Sequence, residues 1–253
     1  QITEAQLDDV VNRTMKTFTV PGIAVAIVKD GKVVISKGYG VTNSTTNQKV
    51  DGNTLFGIAS NSKAFTTAAL GMLVDEGKLK WDDKVIQYIP EFKMYNEYVT
   101  NEFTIRDLLT HRSGLGLGAG DLMIWPDGHN FTPKDIITNI QYLKPVSGFR
   151  SKYDYDNLLY VIAGEVIVRV SGTSWCDFIE NRIMKPLQMT HSAASWHRLK
   201  DTTNTIVPHV PTNGKLEVIP RYTNTIFDAA AGIYASTNDL SKWVIAQLNN
   251  GKY

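Results

Sequence analysis

A serine hydroxyl becomes a nucleophile when a neighbouring group can hold its proton, and one stretch of this chain offers such a pair. Ser60-Asn61-Ser62-Lys63 places a hydroxyl and an amine three residues apart. The segment that follows is rich in Ala, Leu and Met and runs to Glu76, then stops at Gly77, a residue suited to the position after a helix. Residues i and i+3 share a helix face. Ser60 at or near the helix start would therefore present hydroxyl, amine and helix N–H donors at one end. The spacing also has a plainer meaning, a capping serine with a solvated lysine one turn on, so the chemistry needs a second group.

That group is Tyr155-x-Asn157, in the run Tyr153-Asp154-Tyr155-Asp156-Asn157 just before a strongly apolar helical segment. It places a phenol and a carboxamide on a loop entering a helix, and loops carry function more often than scaffold elements do. A free tyrosine titrates near 10 and a free lysine near 10.4, so neither is a base at neutral pH in isolation. A nearby ammonium favours the phenolate, and hydrogen bonds shared with Ser60 could pass the serine proton on. The structural alternative is a half-buried packing tyrosine and a helix-capping asparagine.

The elements that must hold these groups can be read in order. Thr3 to Phe18 has helical apolar spacing at Leu7, Val10, Val11, Met15 and Phe18, with Thr3 as N-cap, and ends at Pro21-Gly22. Ile23 to Val28 and Val33 to Tyr39 read as two strands around an Asp30-Gly31 turn. After a polar loop and the serine-bearing helix, Phe103 to Thr110 reads as a short helix capped by Thr104. It runs into His111 and a glycine-rich stretch, Leu115 to Gly120. Thr132-Pro133 opens a helix to about Leu143. Asp156 to Val170 and Thr173 to Met184 are two further helices. Ser192 to Thr225 reads as loop, and Thr237 caps a last helix, Asp239 to Leu248. Two strands alone do not make a stable sheet, so the hairpin needs partners.

Composition narrows the function classes. The chain has 26 basic and 25 acidic residues with no charged block, so nothing points to nucleic acid or an anionic membrane surface. Cys176 is the single cysteine, which excludes an intrachain disulfide framework and a cysteine-rich metal site, and it reads as a small buried thiol. No apolar run reaches transmembrane length, and the sequence as given carries no signal peptide. His129, His191, His197 and His209 show no metal-ligand spacing. Gly114-x-Gly116-x-Gly118-x-Gly120 follows no strand, so it reads as a flexible rim loop rather than a dinucleotide loop. Trp125 in that region is a candidate substrate contact, and Asp82-Asp83 reads as turn and surface.

With these pieces in place, the chain resembles a known family. Val20-Pro21-Gly22, the Asp-Gly hairpin, Phe56 to Thr66 and Gly77-Lys78-Leu79-Lys80-Trp81-Asp82-Asp83 match it in order. So do Ile105 to Leu115, Tyr155-Asp156-Asn157, and Ala231 to Leu240. The ordered set is far more specific than either short motif. It is similar to the serine β-lactamase-related family: class C β-lactamases, DD-peptidases, esterases and penicillin-binding-protein-like chains, whose S-x-x-K motif falls on Ser60 and Lys63.

The resemblance implies an α/β plus all-α fold, an antiparallel sheet flanked by helices with a helical subdomain. Residues 1–71 and 193–253 would form the α/β part and residues 72–192 the mainly helical part, with the site in a cleft between them. It implies Ser60 as the nucleophile of an acyl-enzyme and Lys63 as the centre of the proton network. Tyr155 would be general base and then acid, with the first proton acceptor left open between Lys63 and Tyr155. Asn157 would bind the substrate amide, the Ser60 N–H would be one oxyanion donor, and His111 would be structural. No cofactor or metal is implied. The substrate would be a β-lactam or a D-amino-acid peptide, with a short-chain ester as alternative; a silent penicillin-binding or scaffold protein is the reading from another class. Periplasmic or secreted localisation is also implied. The family's third motif, Lys-Ser/Thr-Gly or His-x-Gly, occurs nowhere in the 253 residues. The expectation is therefore a natural protein that continues beyond Tyr253, its C-terminal remainder completing the sheet.

Overall fold

The computed structural model describes residues 2–253. Helix α1 (Glu4–Phe18) opens on a capping box, in which the Thr3 hydroxyl accepts the Gln6 N–H and the Gln6 side chain accepts the Thr3 N–H. Strands β1 (Gly22–Lys29) and β2 (Lys32–Gly40) form an antiparallel hairpin with Gly22 opposite Gly40 and Ile27 opposite Ile35. Asp30 and Gly31 in its turn have φ of 51° and 71°, the left-handed pair that a two-residue hairpin loop requires. Strand β3 (Phe56–Gly57) is short, and a 3-10 turn, Ala59–Asn61, leads from it into α2 (Ser62–Asp75). Helices α3 (Glu97–Glu102), α4 (Ile105–Leu109) and α5 (Pro133–Asn139) are capped by Asn96, Thr104 and Thr132. Helix α6 (Leu158–Ser171) ends on Gly172 at φ 73°. Helix α7 (Trp175–Ile179) continues as a π-helical turn, Glu180–Met184. Strands β4 (His209–Thr212) and β5 (Lys215–Val218), helix α8 (Asp228–Ala231), strand β6 (Tyr234–Ala235) and helix α9 (Thr237–Leu248) complete the order.

Several elements differ from the sequence expectation. Residues 209–218, read as loop, are a second hairpin, turned by Asn213 and Gly214 at φ 49° and 77°. The short α3 lay unrecognised in a stretch with few apolar residues. The Thr173–Met184 helix is an α-helical turn followed by a π-helical one, and the last helix is capped by Ser236 rather than Thr237. Cys176 is half-buried, its Sγ 3.9 Å from Asp228 Oδ2.

The chain forms two compact units. The first comprises the chain up to Gly57, Met184–Tyr222 and Tyr234–Tyr253; the second comprises Ile58–Ile183 and Thr223–Ile233. In the first, Leu7 and Val11 of α1 and Tyr39 of β2 are buried together, with Met15, Ile23, Val25, Ile27 and Ile35 packed against them. Helix α9 also packs on β1. Strand β3 pairs with β6, Phe56 opposite Ala235. Each sheet among the described residues has two strands.

The second unit is helical and centres on α6. Leu158, Leu159, Ile162, Ala163, Val166 and Ile167 of that helix have no exposed surface, and it packs against α2, α4, α5, α7 and α8. The boundary expected between residues 71 and 72 falls inside α2. That helix belongs wholly to the second unit because its buried side, with Phe65, Ala69, Leu70 and Leu73, faces α6 and α8. The other expected boundary, at residues 192 and 193, lies within the first unit, which begins its second segment at Met184.

Candidate active site

Ser60 stands in the 3-10 turn that precedes α2 and is exposed, whereas Ser62 and Lys63 just after it are buried. The turn is held from the other end of the chain. Ile58 N–H donates to the Ile233 carbonyl at 2.9 Å, and Ile233 N–H donates to Ser62 Oγ at 3.1 Å. One helical turn on, the Thr66 hydroxyl donates to the Ala229 carbonyl at 2.7 Å and accepts the Trp175 indole N–H at 3.0 Å. These bonds hold Ala59 at φ 47°, a left-handed conformation that costs a non-glycine residue about 1–2 kcal/mol.

Lys63 is 6% exposed, and its Nζ has an acceptor for each of its protons. It donates to Ser60 Oγ at 3.2 Å, to Asn157 Oδ1 at 3.0 Å and to the Ala230 carbonyl at 3.1 Å. The rings of Tyr155, Tyr160 and Phe227 surround the same nitrogen, with centroids 4.9, 5.4 and 5.7 Å away. Burial pulls the Lys63 amine below its usual value; Tyr155, Asp121 and Asp156 pull the other way. An amine in such a setting holds a proton less tightly than a free lysine does, which suits it to proton transfer.

Tyr155 donates its phenolic O–H to Ser60 Oγ at 2.7 Å. Its ring lies on His111, centroids 4.3 Å apart and planes 26° from parallel. Burial and the Lys63 charge push His111 down to about 4, so the imidazole is neutral at physiological pH. Its Nδ1 accepts the Asp156 N–H at 3.1 Å, which leaves the ring proton on Nε2. Asp156, between the two motif residues, has no exposed surface. Its Oδ1 accepts the Leu158 N–H at 2.8 Å, starting α6, while its Oδ2 has no partner. Burial pushes its carboxyl up to about 7.

Asn157 does not cap α6 with its side chain. Its Oδ1 faces Lys63, and its Nδ2 lies 3.3 Å from both carboxylate oxygens of Asp121. The structure thus brings Ser60, Lys63, Tyr155 and Asn157 together within the second unit. Two participants were not found from the sequence. The Ala230 carbonyl is a backbone atom and has no residue signature. Asp121 directly follows the glycine-rich stretch, which is docked rather than free: Gly118 N–H donates to the Tyr155 carbonyl at 3.2 Å. The resemblance implies a structural His111, but nothing in the sequence shows its ring lying on Tyr155. Trp125 meets Phe227 edge-on, centroids 5.5 Å apart. In chemical terms, the geometry offers an exposed hydroxyl with two proton-carrying groups on its oxygen.

The family model described as Beta-lactamase matches residues 7–253. Protein flp of Staphylococcus aureus (strain COL) is 30% identical over 250 residues, covering 97% of this chain and 49% of the relative. The chain therefore spans about half the length of such relatives. Among solved structures, the octameric penicillin-binding protein homologue from Pyrococcus abyssi superposes with a TM-score of 0.85 at 28% identity, over 99% of this chain and 57% of that one. A class C beta-lactamase superposes with a TM-score of 0.80 at 26% identity, over 96% of this chain and 63% of that one. The fold is thus β-lactamase/transpeptidase-like, helices with small antiparallel sheets.

Proposed function

This chain belongs to the Beta-lactamase family, and from its site we propose a serine hydrolase that forms an acyl-enzyme on Ser60 and hydrolyses an amide or ester. The observation that carries the proposal is the pair of hydrogen bonds on one exposed oxygen, Tyr155 at 2.7 Å and Lys63 at 3.2 Å.

In acylation, Ser60 Oγ bonds to the substrate carbonyl carbon and its proton passes to the Tyr155–Lys63 pair in the state where that pair carries one proton fewer than phenol plus ammonium, as neutral amine or as phenolate. Burial of Lys63, which favours its neutral amine, eases that transfer. Collapse of the tetrahedral intermediate breaks the bond to the leaving nitrogen or oxygen, which takes the proton back from Tyr155. Water then attacks the acyl carbon, gives its proton to the same pair, and Ser60 is released with its hydroxyl restored. The Ser60 N–H at the entry to α2 is the donor proposed for the developing oxyanion.

We assign the substrate to the β-lactam or D-amino-acid peptide class, with a short-chain ester as the competing class. A fluorophosphonate probe tests the nucleophile: attachment at Ser60, abolished in Ser60→Ala, supports the reading. A folded, unlabelled protein would leave a silent binding or scaffold role. Rates with a chromogenic cephalosporin, a D-Ala-D-Ala peptide and a short p-nitrophenyl ester then separate the substrate classes.

A further inference from the structure

We infer that Asp121 is a positioning residue for the Ser60 site: its carboxylate fixes the orientation of the Asn157 amide and sets the charge seen by Lys63. This rests on the acyl-enzyme reading above and adds a residue that the two motifs do not contain.

An Asn side chain can be turned over with little change of shape, exchanging acceptor for donor. Lys63 needs an acceptor at that point, because an ammonium has donors only. The Asn157 Oδ1 supplies it at 3.0 Å. The opposite orientation would set an NH₂ group against the ammonium. Asp121 blocks it, since its two oxygens, each 3.3 Å from Nδ2, accept but cannot donate. The result is a relay from carboxylate to amide to ammonium to hydroxyl.

The loop is built to deliver this carboxylate. Gly118 and Gly120 flank the approach with φ of 69° and 77°. A methyl group on Gly118 would stand 3.2 Å from Asp121 Oδ2, and one on Gly120 would stand 2.4 Å from Leu158 Cδ1. Gly118 N–H is bonded to the Tyr155 carbonyl, and Asp121 N–H donates to the Gly118 carbonyl at 3.0 Å. The loop therefore closes on the start of α6 at both glycines and carries Asp121 to Asn157.

The charges around Lys63 come from each element packed on it. Asp121 comes from the loop and Asp156 and Tyr155 from the entry to α6, with Tyr160 inside that helix and His111 after α4. Of these, Asp121 and Asp156 are the carboxyl groups acting on Lys63, both favouring its charged form. Removing the Asp121 charge makes Lys63 lose its proton more easily.

The test uses the fluorophosphonate probe and p-nitrophenyl acetate with three proteins: wild type, Asp121→Asn and Asp121→Leu. Asp121→Leu removes both acceptor and charge, and its acylation rate should fall about tenfold, mainly in kcat, at unchanged thermal midpoint. Asp121→Asn keeps an acceptor and loses the charge. It should recover much of the rate while the limb of the pH–rate profile that belongs to Lys63 moves to lower pH. A residue with only a packing role would leave that limb in place. Wild-type rate in Asp121→Leu, or coincident pH limbs in Asp121→Asn, overturns the assignment. If Asp121→Leu does not fold, the Asp121→Asn profile decides alone. Wild-type protein that takes no label overturns the acyl-enzyme reading and this inference with it; labelled wild type with unaffected variants overturns the inference only.

Discussion

Asp156 and His111 are neighbours, and burial disfavours the charged form of each. Their linkage to stability runs in opposite directions. Asp156 has its carboxyl raised from 3.8 to about 7 in the fold. Folding therefore favours its protonated form, and the stability it contributes is complete below about pH 4 and lost as pH rises toward 7. His111 is lowered from 6.5 to about 4, so its contribution is present above pH 6.5 and lost as pH falls toward 4. The two windows overlap almost completely and largely cancel. Asp156→Asn removes one side of the balance. Denaturant unfolding between pH 4 and 7 should show the variant gaining on the wild type as pH rises, by on the order of 1 kcal/mol per pH unit. Parallel pH dependences for the two proteins would contradict the assignment. Asn keeps an acceptor for the Leu158 N–H, so the start of α6 survives the change.

Helix α4 shows how short elements are made to hold a ring in place. Five residues cannot form a helix on propensity alone. Thr104 and Asp107 close a capping box at its start, and Asp107, 5% exposed, also takes two bonds from Arg150 at 2.9 and 2.6 Å. His111 follows directly and meets Tyr155. Asp107→Ala removes the cap partner and strands the half-exposed guanidinium, and should cost roughly 2–3 kcal/mol in a denaturant titration. Its loss should also slow acylation by letting His111 shift. A cost below about 0.5 kcal/mol, the range of an ordinary surface change, would show that α4 is held by packing alone. The cap on Thr104 was legible in the sequence because capping chemistry is local. The bond to Arg150 was not, because it joins residues 43 apart. The same divide separates the two hairpins. Asp30-Gly31 was read from flanking apolar strands, whereas Asn213-Gly214 carried an equally good turn signal. Pro211 and exposed polar residues mask the strands beside it.

Across the whole chain, the motifs named the groups and distant residues supply what makes them work. Ser60, Lys63, Tyr155 and Asn157 announce themselves by type and spacing. The carboxylate on Asn157, the ring under Tyr155 and the carbonyl on Lys63 come from residues 121, 111 and 230. Contacts of such sequence separation carry the entropy cost of closing long loops. The bond from Lys63 to the Ala230 carbonyl spans 167 residues, and it bears on how the protein is made. While a ribosome is still building the chain, the hydroxyl and amine are already in the cell without the segment that locks them into register. On the acyl-enzyme proposal, reactivity would be withheld until Ala229 to Ile233 has emerged. Ribosome-stalled chains halted before that point should ignore a fluorophosphonate, and chains halted well after it should react. Early reaction would mean that the newborn polypeptide needs no such safeguard.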